Sequence, residues 1–248
     1  MRKAQQISRR TWLTQVALGS FAVWNGINFG HGRSGWSVAI GGRDLAIGAQ
    51  NLGPAETLRV NLGIVNAYVL IRGKEAAVVD TGTPNNASKI ADVVGTAGLG
   101  WDAVHHVILT HYHGDHIGSV GEVLAAAAKA TAYAGAADIP QIKCSRPIKS
   151  VGDNDEVFGL RVIATPGHTA GHICVFDPAG SLLILGDAMN NVDKKLSLPS
   201  PQYTADMAEA HQSVKKLAKL TFQRAVFGHG DPIDKDASQA IGKLAGAL

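Results

Sequence analysis

The apolar positions of this chain come in short bursts. Leu58 to Leu62 and Ile64 to Ile71 alternate and run as strands do, and Glu75 to Val79 is a compact buried-strand run. Asn86 to Val94 has helical spacing. Val104 to Leu109 is β-rich and ends at Thr110, Val120 to Ala130 is an alanine-rich helix, and Thr131 to Tyr133 a short strand. The second half follows the same plan, with strands near Val157 to Ala164, His172 to Phe176 and Leu182 to Leu185. A helix at Thr204 to Leu220, a strand at Arg224 to Phe227 and a last helix from Asp236 complete it. Two β-rich halves, each followed by helices, predict an α+β fold of stacked sheets with helices on their outer faces. No short-period repeat, low-complexity tract or linker-like break interrupts the pattern, so residues 32–248 read as one domain.

The residues before that domain have a different character. Met1-Arg2-Lys3 and Ser8-Arg9-Arg10-Thr11-Trp12-Leu13 precede a weakly polar and apolar run to Trp24, the layout of an export signal. The run contains Thr14, Gln15, Gly19 and Ser20 and is shorter than the roughly 20 apolar residues of a membrane span. Arg9-Arg10, set after Ser8 and before an aromatic-Leu pair, resembles a twin-arginine signal. The resemblance implies export of an already folded protein to the periplasm or beyond. Residues 1–31 are therefore read as the signal, and the Gly-rich stretch Gly26 to Gly35 as its joint with the domain. No other segment is long and apolar enough for a stable span.

Composition changes the picture mainly through charge. The 248 residues carry 23 Lys and Arg against 20 Asp and Glu, a net of +3, with 46% hydrophobic residues and only 17% charged. So much apolar content with so little charge excludes a disordered or collagen-like chain. The positive net hints at a polyanionic partner, but Arg2, Lys3, Arg9 and Arg10 all lie in the signal and no acid precedes Asp44. From residue 32 onward 19 basic residues face 20 acidic ones. The basicity is addressing information; it favours no nucleic acid and leaves a small, uncharged or weakly charged substrate as the expected partner.

The chemistry concentrates in Thr110-His111-Tyr112-His113-Gly114-Asp115-His116-Ile117-Gly118, where four candidate ligands follow a buried strand. In extended chain, positions two apart point the same way, so His111 and His113 can share one metal. Asp115 and His116 follow Gly114 and can face a second. Imidazole and carboxylate donors without thiolate suit Zn²⁺, with Fe or Mn as alternatives.

This segment resembles the signature of the metallo-β-lactamase superfamily, and further pieces follow in that family's order. Asp80 in Val78-Val79-Asp80-Thr81-Gly82, His168 in Thr165-Pro166-Gly167-His168, Asp187 in Leu185-Gly186-Asp187 and His229 in Gly228-His229-Gly230-Asp231 match its motifs. The resemblance implies a four-layer αβ/βα fold, two stacked mixed sheets flanked by helices. It implies that His111, His113 and His168 hold one Zn²⁺ and Asp115, His116 and His229 another, with Asp187 bridging. It also implies a shared hydroxide as nucleophile and Asp115 as the residue that orients it. Asp80 is expected to support the site without binding metal. His172 is expected to brace its loop, and His31, His105, His106 and His211 to be structural.

The ligand set resembles that of glyoxalase II-like thioesterases, many lactonases and tRNA-processing nucleases. Asp187 and His116 disfavour a classical β-lactamase, and His113 disfavours a flavodiiron oxygen reductase. Ala188-Met189-Asn190-Asn191 lacks both the glutathione-binding Gly-Arg segment of the glyoxalases and the Tyr that quorum-signal lactonases carry at position 190. The expectation is an exported metallo-hydrolase acting on an ester, thioester, lactone or amide. The alternatives are β-lactamase-like activity or a non-catalytic metal-binding accessory protein. Cys174 lies in an apolar strand and Cys144 in a loop; nothing in the sequence decides whether they pair. Replacing Arg9-Arg10 by Lys-Lys should leave the protein in the cytoplasm, as fractionation would show; unchanged export would refute the twin-arginine reading.

Overall fold

Two sheets stack face to face, and residue parity along each strand decides which core a side chain enters. The structure, a computed structural model, describes residues 38–40, 43–45 and 53–248; the signal-like segment 1–31 lies outside them. The chain divides into residues 1–48 and 49–248. The described part of the first unit is an antiparallel hairpin, β1 (Val38–Ile40) with β2 (Arg43–Leu45). Everything below concerns the second unit.

In chain order it contains β3 (Glu56–Asn61), β4 (Asn66–Arg72), β5 (Glu75–Val79), α1 (Ala87–Thr96), β6 (Val104–Leu109), α2 (Gly114–Ile117), α3 (Val120–Ala126), β7 (Thr131–Gly135) and β8 (Ile148–Val151). These six strands form the first sheet in sequence order, antiparallel from β3 to β5 and parallel from β5 to β8. There follow β9 (Glu156–Val157), β10 (Leu160–Ala164), β11 (Ile173–Asp177), β12 (Leu182–Ile184), β13 (Asn190–Val192), β14 (Lys195–Ser197), α4 (Met207–Leu217), β15 (Arg224–Val226) and α5 (Ala237–Ala245). The second sheet has the order β15-β12-β11-β10-β9, with only β12 and β15 parallel; β13 and β14 form a separate hairpin.

Side chains alternate across a strand, so each buried strand feeds two layers. On β4, Tyr68 and Leu70 enter the core between the sheets, while Ala67, Val69 and Ile71 face the helices. On β11, Ile173 and Val175 face inward and Cys174 and Phe176 outward. The outer face of the first sheet is covered by Ile90 and Val94 of α1 and by Val120, Val123 and Leu124 of α3. That of the second is covered by Val214 and Leu217 of α4 and by Ile241 of α5. The result is the four-layer arrangement expected from the sequence.

Several boundaries differ from the periodicity reading, each for a local reason. The run Val157 to Ala164 is a hairpin, because Phe158 and Gly159 both take positive φ, 58° and 72°, and turn the chain between β9 and β10. The alanine-rich helix stops at Ala126, and Ala127 to Ala130 form a turn into β7. Helix α4 starts at Met207, where the Asp206 carboxylate accepts from the Glu209 N–H at 2.9 Å and caps the first turn. Strand β8 and the β13–β14 hairpin lack clear apolar alternation and were not expected.

A buried ion pair ties the two sheets together. Arg72 at the end of β4 donates to Asp177 at the end of β11 at 2.9 Å; their side chains are 8% and 0% exposed. Asp177 also accepts from the Ala55 N–H at 3.0 Å, and Arg72 donates to the Gly53 carbonyl. Removing one member of a buried pair strands the other charge. Asp177→Ala should therefore lower the unfolding free energy by about 3–5 kcal/mol, read as a shift in urea midpoint.

Candidate metal centre

Every candidate ligand lies just beyond the end of a strand. His111 to His116 follow β6 and run into α2, His168 lies between β10 and β11, Asp187 follows β12, and His229 follows β15. Bonds between loops and sheets bring these ends together. The Ile173 N–H donates to the Thr110 carbonyl at 2.8 Å, the Asn66 N–H to the Gly228 carbonyl at 2.8 Å, and the Tyr68 hydroxyl to the Phe227 carbonyl at 2.7 Å. All seven residues singled out in the sequence meet at this one place. Donor atoms of His111, His113 and His168 lie within 4.8 Å of one another, as do those of His111, His116 and Asp187, and those of Asp115, His116 and His229.

The hydrogen bonds on the far side of each ring decide which nitrogen faces the centre. The Thr110 hydroxyl donates to Asp80 at 2.8 Å and so accepts from His111 Nδ1 at 3.0 Å. The Thr204 hydroxyl donates to the Ser200 carbonyl and accepts from His168 Nδ1 at 3.1 Å. His116 Nδ1 donates to Asp80 at 2.8 Å, and His229 Nδ1 to the Ile64 carbonyl at 2.6 Å. Four rings are thereby oriented with Nε2 toward the centre, a geometry that fixes the tautomer of a ligating imidazole.

The inward nitrogens fit a metal ion. His113 Nδ1 lies 3.1 Å from His111 Nε2 and 3.0 Å from His168 Nε2. Ligand nitrogens about 2.0–2.1 Å from a tetrahedral ion lie roughly 3.3 Å apart. Asp187 stands between the clusters: one oxygen is 3.3 Å from His116 Nε2, the other 3.2 Å from His229 Nε2 and 3.5 Å from His168 Nε2. Its Oδ1 is buried without a hydrogen-bond partner, an atom that a cation would satisfy. A Cβ at Gly228 would collide with that same oxygen, so only glycine before His229 lets the carboxylate stay.

The charges point the same way. Burial pushes His111 well below its ordinary value and His168 down to about 4, so both present lone pairs at neutral pH. Burial acts on His116 too, but the Asp187 and Asp80 carboxylates outweigh it and hold the ring well above its ordinary value. His229 is likewise lifted, against burial, to about 10 by Asp115 and Asp187. Burial works against the Asp187 carboxylate as well, but the surrounding imidazoles, His116 foremost, hold its value down. His111 and His168 bring lone pairs to the Asp187 carboxylate, and the carboxylates that lift His116 and His229 make a field in which a cation can take the place of those protons. Nitrogen and oxygen donors without thiolate suit Zn²⁺, Fe or Mn.

Two buried carboxylates outside the cluster hold its loops. Asp80 accepts from the Thr110 N–H and hydroxyl and from His116. Asp138, 1% exposed, accepts from the Tyr112 N–H at 3.2 Å, the Thr169 hydroxyl at 2.6 Å and the Gly171 N–H at 2.7 Å. It thus clamps the loop of His111 and His113 to that of His168. Gly171 permits the approach, since a Cβ there would lie 2.7 Å from the Asp138 carboxyl carbon. Sequence reasoning missed Asp138, an isolated acid outside any motif. His172 accepts from the Asp187 N–H at 3.1 Å and bonds Thr165 at 2.8 Å, so it braces the Asp187 turn.

The remaining candidates lie elsewhere. His105 and His106 are within β6, His106 against Tyr133 and Phe158, and His211 is on α4. His31 is outside the described residues. Cys144 and Cys174 are both free. Burial lifts the Cys174 thiol to about 12, so it packs as a neutral group.

A family model described as the metallo-beta-lactamase superfamily matches residues 60–229. Among curated proteins, the chain is similar to a beta-lactamase-like protein 2 homolog of Caenorhabditis elegans, 28% identical over 181 residues, covering 68% of this chain and 57% of that one. It is also similar to a hydroxyacylglutathione hydrolase of Ectopseudomonas mendocina, 34% identical over 158 residues, 59% of this chain and 53% of that one. The chain spans about half the length of the curated relatives it matches. Among solved structures, a metallo-beta-lactamase family protein from Thermus thermophilus superposes with TM-score 0.63 at 24% identity, over 78% of each chain. TTHA1623, solved in a di-iron-bound form, superposes with TM-score 0.64 at 23% identity, over 78% of this chain and 100% of that one. At these identities the structural likeness concerns the fold.

Asp138→Asn keeps the shape but turns one acceptor into a donor facing N–H and O–H groups. It should lower the unfolding free energy by about 1–3 kcal/mol, measured by urea denaturation; an unchanged midpoint would contradict the clamp.

Proposed function

Starting from the metallo-beta-lactamase superfamily, to which the chain belongs, we propose that it is an exported dinuclear metallo-hydrolase cleaving an ester, thioester, lactone or amide. His111, His113 and His168 would hold one ion and Asp115, His116 and His229 the other, with Asp187 placed between the two groups. The observation that carries this reading is the position of Asp187, whose two oxygens lie 3.2–3.5 Å from inward nitrogens of both clusters. When bound, the metal pair lowers the pKa of water toward ~7 and polarises the scissile carbonyl.

The chain's own residues do the rest. Asp115 is partly exposed on the cleft beside His113 and His229. The hydrogen bond from His229, opposed by burial and helped by the nearby His116, keeps its carboxyl below the ordinary value. It is therefore ionised at neutral pH and placed to orient the attacking water and accept its proton. The Thr110 hydroxyl and Asp80 accept from Nδ1 of His111 and His116 and leave Nε2 of each ring facing the centre. The hydroxyacylglutathione hydrolase among the relatives supports thioesters as one substrate class. Export rests on Arg9-Arg10 and the run that follows.

Protein purified without chelators should carry two equivalents of transition metal per chain, by elemental analysis. Well under one equivalent would refute the dinuclear reading. Asp187→Ala should lower kcat/KM more than about 100-fold, since losing even a partner of a ligand costs about 10–100-fold; full activity would refute its role.

A further inference from the structure

Resting on the hydrolase reading, we infer that the cleft over the centre selects a neutral substrate with an apolar body and rejects one with an anionic tail. Two adjoining cavities of about 560 and 470 Å³ share Ile64, Asp187, Tyr203 and His229 and so form one cleft across the ligand cluster. That volume is ample for a small organic molecule. Only four large hydrophobic side chains among the described residues are exposed, and three of them line this cleft: Ile64 at 73%, Tyr203 at 63% and Val192 at 50%. They come from three separate segments, the β3–β4 turn, the β13–β14 hairpin and the turn before α4. Apolar groups from unrelated segments gathered at one mouth mark a surface built to be covered.

The charges at that mouth decide the class of occupant. Apart from the imidazoles, the only cationic side chain among the described lining residues is Arg59, and each of its three nitrogens already has a partner, one of them the Asp231 carboxylate that pairs its charge. Nε bonds Asn66 at 2.8 Å, one terminal nitrogen Asp231 at 3.0 Å and the other the Gly230 carbonyl at 3.0 Å. Asp193 adds a carboxylate to the rim, while Lys194 and Lys195 on the same hairpin do not line it. Away from the imidazoles of the centre, a carboxylate-bearing tail thus finds no cation among the described lining residues whose charge is not already paired, and it meets the Asp193 carboxylate. An alkyl or aryl body instead covers Ile64, Val192 and Tyr203 while its carbonyl reaches the centre.

The test uses the metal-loaded full chain and two thioester headgroups, neutral N-acetylcysteamine and anionic glutathione. Each methylene moved out of water is worth roughly fourfold. S-hexanoyl-N-acetylcysteamine should therefore exceed its S-acetyl counterpart in kcat/KM by about tenfold or more. It should also exceed S-hexanoylglutathione. The triple variant Ile64→Ser, Val192→Ser, Tyr203→Ser should bring the hexanoyl-to-acetyl ratio toward one. A wild-type ratio near one, or preference for the glutathione thioester, would overturn the inference while leaving the hydrolase reading intact. If no thioester turns over, that substrate class fails, and binding decides the rim by itself. By calorimetry the non-cleavable thioether S-hexyl-N-acetylcysteamine should bind more tightly than S-hexylglutathione, and weaken in the triple variant. Equal or tighter binding of S-hexylglutathione would overturn the inference.

Discussion

The carboxylate of Asp80 holds the site together. It is 2% exposed and sits just past β5 with φ of 60°, a backbone conformation that non-glycine residues adopt only when something compensates. The compensation is three hydrogen bonds of 2.8 Å, from the Thr110 N–H, the Thr110 hydroxyl and His116. These bonds fasten the end of β5 to the end of β6 and to α2, and they orient His111 and His116 at one stroke. Without them a buried carboxylate would be unpaired, a state that costs far more than the strain.

Asp138 repeats the device on the other side. Among the described residues neither acid has a Lys or Arg partner; both are satisfied by short local donors. The sandwich behind them is pinned at two ends of a single strand. Asn66, at the start of β4, bonds Phe227 and Gly230 beside His229, and Arg72, at its end, pairs with Asp177. Strand β4 therefore sets the distance between the sheets at the site and away from it, and the ligand loops inherit that spacing.

The stacked sheets and the first four candidate ligands could be read from the chain because both are local signals, whereas His168, Asp187 and His229 could be placed only through the family resemblance. Ala67 to Ile71 alternates between two apolar environments, and His111, His113, Asp115 and His116 fall within one strand-end segment. Asp138 could not be read that way. Its partners Thr169 and Gly171 are more than thirty residues distant, and an isolated Asp between Ala137 and Ile139 has no pattern. The β13–β14 hairpin was missed because Asp193 and Lys194 make the turn with φ of 51° and 60°, without the Asn-Gly or Asp-Gly pair that announces such turns. Ile64, read as the start of a strand, is at the turn before β4, which sends it outward while its neighbour Val65 is fully buried.

Chemistry and selection are therefore built from different material. The ligands stand on strand ends, locked by buried carboxylates and by backbone donors from both sheets. The apolar mouth stands on turns whose side chains touch little else. Ile64 joins the two, yet only through its carbonyl, which accepts from His229 Nδ1 and is the same whatever side chain the position carries. A change at position 64 can alter what covers the mouth while the ligand's hydrogen bond persists. The reverse does not hold: a change at Gly228 displaces Asp187 directly, because no side chain fits between its backbone and that carboxylate. Substrate range can shift at the turns under far weaker constraint than the strand ends impose on the centre.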